Sequence, residues 1–187
     1  MSFLDRFVDC LRLHQGVRAV AKSSWTTLRE SDLKPLLAVG EALPKLGATL
    51  TPVFMSLLNL IRAAKVGDML TNTYQKAIEA LQSVSSAITS DHNSYYTRNH
   101  LISWLTLIPS EYTDSLALRR PEAVVILAHY AALLHQQRSS WVFGDSGRSI
   151  IQTIDAYLGP PWTDWLDWPK RVLDETSPTP ESTSMEH

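Results

Sequence analysis

A single cysteine, Cys10, stands among 187 residues. That excludes a disulfide framework and any zinc site built from paired thiolates. Glycine is scarce at 7 residues, below the roughly 7% of average usage. With leucine abundant, this bias favours helices over strands. Neither sign of charge is in excess. Lys+Arg 17 against Asp+Glu 19 leaves a formal charge of -2, too balanced for a free-standing nucleic-acid binder with a basic face. Long apolar runs are missing too. The most apolar stretch, Ala123 to Leu134, contains His129 and falls short of the about 20 residues a membrane span takes. Asp5, Arg6 and Asp9 break the N-terminal segment, so it does not read as a signal peptide. No nucleophile elbow, phosphate loop, dinucleotide fingerprint or His-Glu-x-x-His motif occurs. His14, His92, His100, His129 and His135 never fall at metal-ligand spacing, so no metal and no cofactor are expected. What remains is a soluble, intracellular chain long enough to bury about 70% of its unfolded surface without a staple.

What is present is helical spacing. Phe3, Phe7, Leu11, His14 and Arg18 line one face of a first helix reaching about Ala21. Trp25 and Leu28 follow in a polar turn, and Ser31-Asp32 caps a short helix holding Leu33, Leu36 and Leu37. Pro52 opens a helix with Val53, Leu57, Leu60, Ile61 and Ala64 on one side. Leu70, Tyr74, Ile78, Leu81, Val84 and Ile88 step by threes and fours, as one buried stripe does. Asp91 to Arg98 is polar and reads as a loop, and Leu101, Trp104, Leu105 and Ile108 form a short helix stopped by Pro109. Pro121-Glu122 opens a helix that is apolar on nearly every side, which predicts a central helix surrounded by the others. Ile150, Ile151, Ile154 and Leu158 mark a last amphipathic helix, ended by Gly159-Pro160-Pro161. Trp162, Trp165 and Trp168 follow at spacing three. No period-two segment occurs. The expected class is all-α: a single helical ligand-binding domain over residues 1–173, with a Pro/Ser/Thr-rich disordered tail over 174–187.

Four segments carry a resemblance: Leu11 to Val20, Arg120 to His135, Trp141 to Ile151, and Trp162 to Pro169 with its Trp-x-x-Trp-x-x-Trp-Pro pattern. From the first helix onward the chain resembles the C-terminal part of the fungal transcription-factor regulatory domain of the sterol-uptake-control type. The resemblance implies an all-helical fold that binds a hydrophobic ligand such as a sterol, with a zinc binuclear cluster elsewhere in such proteins to bind DNA. The present sequence has Cys10 alone where that cluster takes six cysteines. It shows Asp145-Ser146 where the family has Gly-Trp, which would make the ligand pocket roomier and more polar. The helices that precede the first one here in the family have no counterpart. This is the ligand-binding half without the DNA-reading half, expected as a stand-alone protein.

The residues singled out for chemistry are His129 and Asp145. The commoner role for a mid-helix histidine is a core group bonded to a neighbouring carbonyl or Tyr; the functional one is a pocket base titrating near neutrality. Asp145 either N-caps the helix near Gly147 or, in an apolar pocket, has a raised pKa and exchanges protons with a substrate. His135 reads as a surface residue offsetting the helix dipole. Arg119-Arg120 are surface charge or a grip on an acidic group such as the phosphopantetheine of an acyl carrier. Tyr130, Ser146, Arg120, Trp141 and Phe143 complete the expected ligand contacts. The Trp162/Trp165/Trp168 stripe is more often packing than a ligand box.

Three functions compete. The first, which the sequence favours, is an accessory enzyme of fungal secondary metabolism that folds a polyketide chain and closes an α-pyrone with release of the chain. His129 or Asp145 would be the base and Tyr130, Ser146 or Arg120 the oxyanion donor. The second is a non-enzymatic regulator module for a sterol or other hydrophobic ligand; the third is an interaction protein. The expected partners are a polyketide- or sterol-like small molecule, an acyl carrier in the enzyme case, and a second copy, with no direct nucleic acid and no membrane span. Location is cytoplasmic for the enzyme and nuclear for the regulator. A homodimer is expected because the apolar faces at Phe3 to Val20 and Val53 to Ala64 would otherwise lie partly bare.

Overall fold

Prolines set the helix starts, and apolar periods decide which faces turn inward. In the computed structural model, which describes residues 3–23, 49–90 and 94–175, the described residues form eight α-helices and no strand. They are α1 (Phe3–Ser23), α2 (Pro52–Ala63), α3 (Asp68–Ser90), α4 (Ser94–Leu107), α5 (Ser110–Ala117), α6 (Pro121–Gln136), α7 (Ser146–Leu158) and α8 (Asp167–Glu175). Two 3-10 turns, Pro160–Trp162 and Asp164–Leu166, precede α8. Pro52 and Pro121 stand in the first turns of α2 and α6, where a missing N–H costs nothing. The readings on Trp25, Leu28, Ser31 to Leu37 and the residues after Glu175 lie outside the described residues.

Helix α6 is the centre. Every side chain from Ala123 to His135 is buried, as an all-round apolar helix must be to stay folded in water. Helices α3, α5, α7 and α8 pack around it. Aromatic groups tie the layers together. The Trp104 indole of α4 donates to the Ala77 carbonyl of α3 at 3.2 Å. The Tyr130 hydroxyl of α6 donates to the Leu101 carbonyl at 3.1 Å, and Tyr112 of α5 donates to the Ala123 carbonyl at 2.9 Å. Trp104 stacks on Tyr130 with centroids 4.2 Å apart and meets Tyr112 edge-on. Each of these three polar tips finds a carbonyl, so Trp104, Tyr112 and Tyr130 enter the core without orphaned donors.

Three expectations change. The segment Asp91 to Arg98 is not all loop: α4 already begins at Ser94, and Thr97 is buried at its inner side. Its polar residues fill the first turn, where helices accept them. His135 is not a surface residue. It is fully buried beneath α7, which crosses α6 so closely that a Cβ on Gly147 would lie 2.5 Å from the Ala131 carbonyl oxygen and the His135 backbone nitrogen. Only glycine permits that approach. Finally, much of the described part of the faces expected to be bare is covered by this chain itself. Leu4, Val8 and Leu11 of α1 are buried, with α1 packed on α4 and α5. Phe54, Leu57, Leu58 and Ile61 of α2 are buried as well. Over these residues the argument for a homodimer from exposed apolar surface finds no support.

The α5–α6 corner shows how the chain turns without glycine. Arg119 takes a left-handed φ of 55°. Its N–H bonds to the Leu116 carbonyl, and that of Arg120 bonds to the Ser115 carbonyl, the pair of bonds of a Schellman ending. The Arg119 guanidinium is held by Asp5 Oδ1 at 3.1 Å, which fastens α1 to this corner.

Candidate functional site

The short 3-10 turns after Pro160 bring the tryptophan segment back across α6. In a 3-10 turn, residues three apart eclipse one another. Trp162 and Trp165 accordingly meet at 4.9 Å. Trp168, one step further and already in α8, lies over the His129 ring at 5.5 Å with planes 22° apart. It also receives Phe54 of α2 edge-on at 5.9 Å. Between α2 and this segment opens a cleft of about 320 Å³. Pro52, Val53, Leu57 and Leu60 form one wall, Trp165 and Trp168 the other. Ser56, Asp164, Asp167 and Arg171 supply polar groups, and His129 reaches in from α6. The size is at the lower end of small-molecule sites, and apolar walls with a few polar groups are their usual make-up.

His129 is 3% exposed. Its Nδ1 lies 3.0 Å from the Val125 carbonyl one turn back. A carbonyl only accepts, so Nδ1 carries the proton and Nε2 keeps a lone pair. Burial pushes the imidazole pKa down to about 4, and the Val125 bond offsets only part of that shift. The core role expected for this histidine is realised in its carbonyl bond. The expected titration near neutrality is not, because desolvation disfavours the cation. At pH 7 the ring is a neutral acceptor.

The other expected site residues lie elsewhere. Asp145 is exposed at the head of α7. It occupies the cap position but makes no side-chain cap bond, and it is not among the cleft's lining residues. Ser146 beside it is exposed, Trp141 is 88% exposed, and Phe143 packs partly buried against the core. Arg120 is exposed at the α5–α6 corner. Tyr130 is buried among aromatic rings with its hydroxyl committed to Leu101. Thus His129 is the one expected residue that the fold brings to the cleft. Asp164, Asp167 and Arg171 carried no signal beyond standing beside tryptophans. Trp165 and Trp168 prove to be both packing and cleft wall. Arg171 donates to Asp167 Oδ2 at 3.1 Å, one turn apart on α8. No group of three or more potential metal ligands occurs among the described residues, and no described helix is long and apolar enough to cross a membrane.

No protein-family model matches the sequence, and no solved structure matches it. Over 170 residues the chain is 26% identical to a Zn(2)-C6 fungal-type transcription factor of Gibberella zeae. That alignment takes in 87% of this chain but 34% of the relative. The chain thus spans about a third of the length of the curated relative it matches. It is similar to a fungal transcription factor through most of its helices.

Proposed function

We propose that this chain is an effector-sensing module of fungal transcription-factor type, which binds an apolar small molecule in the α2–α8 cleft and acts in the nucleus. One observation carries the proposal. Most of the chain aligns with a third of a Zn(2)-C6 transcription factor, and a single cysteine means that this third is not the six-cysteine cluster. A regulator of this kind needs a second part that senses something, and a helical unit with a lined cleft suits that task. The preference for a hydrophobic ligand implied by the family resemblance, a sterol being one example, belongs to this proposal.

The polyketide-closing enzyme is the weaker reading. It asks for a base and an oxyanion donor within reach of one reacting atom. His129 is in the cleft, but Asp145, Tyr130, Ser146 and Arg120 are not among its lining residues.

The test is a reporter assay. The chain is fused to a heterologous DNA-binding module and its output is followed as the host's sterols are depleted or apolar compounds are supplied. Output should change with supply. Ser56→Trp, an exposed lining position, should plug the cleft and uncouple output from supply with the melting temperature unchanged. A constant output under every supply, with release of a pyrone from a polyketide thioester by the purified chain, would reverse the choice between the two functions.

A further inference from the structure

The cleft's polar groups are unevenly matched. Among the described residues, two carboxylates, Asp164 and Asp167, face it against one cation, Arg171. Arg171 is taken by Asp167. Asp164 has no ion-pair partner among the described residues. His129 adds no charge: its proton is on Nδ1, bonded to Val125, and no described residue bonds Nε2. A more than nine-tenths buried side chain with a lone pair on Nε2 thus shares a cleft with an unbalanced carboxylate and two indoles, Trp165 and Trp168.

Each of these groups favours the same kind of visitor. A lone-pair nitrogen and a carboxylate both accept hydrogen bonds and offer none. An indole face attracts a cation through its quadrupole, most strongly of the aromatic side chains. An anionic head would meet two carboxylates and a lone pair, with the Arg171 guanidinium already engaged. We propose that the cleft takes an apolar organic amine in its protonated form, its ammonium N–H groups donated to His129 Nε2 and Asp164 and its charge set against the indoles of Trp165 and Trp168. The hydrocarbon part lies along Val53, Leu57 and Leu60. This assignment rests on the reading of the cleft as the effector site, and it names the chemical class of that effector. Arg171 has a part in it as well. By neutralising Asp167 it leaves a single net negative charge among the described lining residues, which suits a monoamine better than a diamine.

The experiment measures direct binding to the full chain by calorimetry and by quenching of tryptophan fluorescence. The probes share one twelve-carbon skeleton and differ in the head: dodecylamine, dodecanol and dodecanoic acid, each below its micelle concentration. The amine should bind about tenfold more tightly than the alcohol, as one added charge interaction allows, and the acid weakest of the three. Asp164→Asn should reduce amine affinity to that of the alcohol and leave the alcohol unchanged. His129→Phe, which keeps a ring against Trp168 but removes the acceptor, should weaken amine and alcohol alike. Added salt should weaken only the amine. Equal affinity for the three heads, preference for the acid, an Asp164→Asn variant that keeps the amine preference, or no binding of any probe would each overturn the proposal. These readouts involve no transcription. A selective amine site in a chain that fails the reporter assay would remove the regulator reading and leave the ligand class standing.

Discussion

Helix α6 has two histidines six residues apart, and they meet opposite treatments. At His135 the neighbouring helix crosses so tightly that Gly147 rests on the backbone of Ala131 and His135. At His129 the neighbour is an indole stacked on the ring at the edge of a cleft. One side of the helix is closed by backbone against backbone, while the other is closed by side chains and only in part. The lesson is that burial alone does not mark a site, since both histidines are buried. What separates them is whether space is left beyond the ring.

Substitution tests that contrast most directly. Gly147→Val should have the largest effect. Its Cβ would meet three backbone atoms at 2.5 to 2.8 Å, none of which can rotate away. The expected loss is about 3 kcal/mol or more, read as a lower melting temperature by far-UV circular dichroism; an unchanged melt would show that the crossing has slack.

Acidification comes next. The unfolded chain binds a proton at His129 near pH 6.5, whereas the native chain does so only near 4. Between those values the unfolded state holds more protons, so stability is full above about 6.5 and is lost as pH falls toward 4. The shift corresponds to roughly 3 kcal/mol. His135 acts in the same direction, lowered first by burial and then by the Arg138 and Arg148 cations. Urea denaturation at pH 7 and 4.5 should show the loss, and His129→Phe should remove the larger part of it. If the variant keeps the full pH dependence, His135 on the closed side is the dominant group.

Trp168→Ala is expected to cost about 2 kcal/mol, below the range for a fully buried tryptophan because this ring is only half-buried. It should also open the cleft and raise solvent access to His129, seen as faster exchange of its ring protons by NMR. A loss as large as that of Gly147→Val would make the open side as structural as the closed one. Smallest of all, Asp167→Asn removes an exposed pair one turn apart and should shift stability by about 0.3–0.5 kcal/mol. A larger change would mean that the pair anchors α8 rather than trimming its charge.

The two sides also differ in how much of them the sequence reveals. The apolar run of α6, the stripe from Leu70 to Ile88 and the prolines at 52 and 121 announce their helices, because a helical period is local information. His129 could be picked out because a polar residue stands in an apolar run. The cleft itself could not, since it depends on how α2 meets α8, and no period within either helix encodes that meeting. Nor could the burial of His135. Its position near a helix end reads as exposed until α7 is known to cross there, and the sign of that crossing is a lone glycine that also resembles a turn. Tyr112 was equally hidden. It lies in the polar stretch SEYTDSLA, yet it is fully buried between Trp104 and Tyr74. The Asp145 cap expectation is met in position but not in bonding: an Asp before a helix has the residue type of a cap, but capping is a matter of angle, and ψ of 10° is not the extended backbone that a side-chain cap bond takes.

The Phe54–Trp168 contact has a consequence for the order of assembly. It joins two residues more than a hundred positions apart, across a chain whose other helix pairs are mostly near neighbours. Closing so long a loop costs entropy that must be met before the contact returns anything. By that argument the cleft walls should come together late in folding, as should the α1 contact with the α5–α6 corner, whose Asp5–Arg119 pair spans the same separation. On the ribosome α2 must wait for α8 to emerge. A molecule held between them works as a clasp on the two ends of the fold, and its occupancy would be written in the amide exchange of α2 and α8 before any other helix slowed.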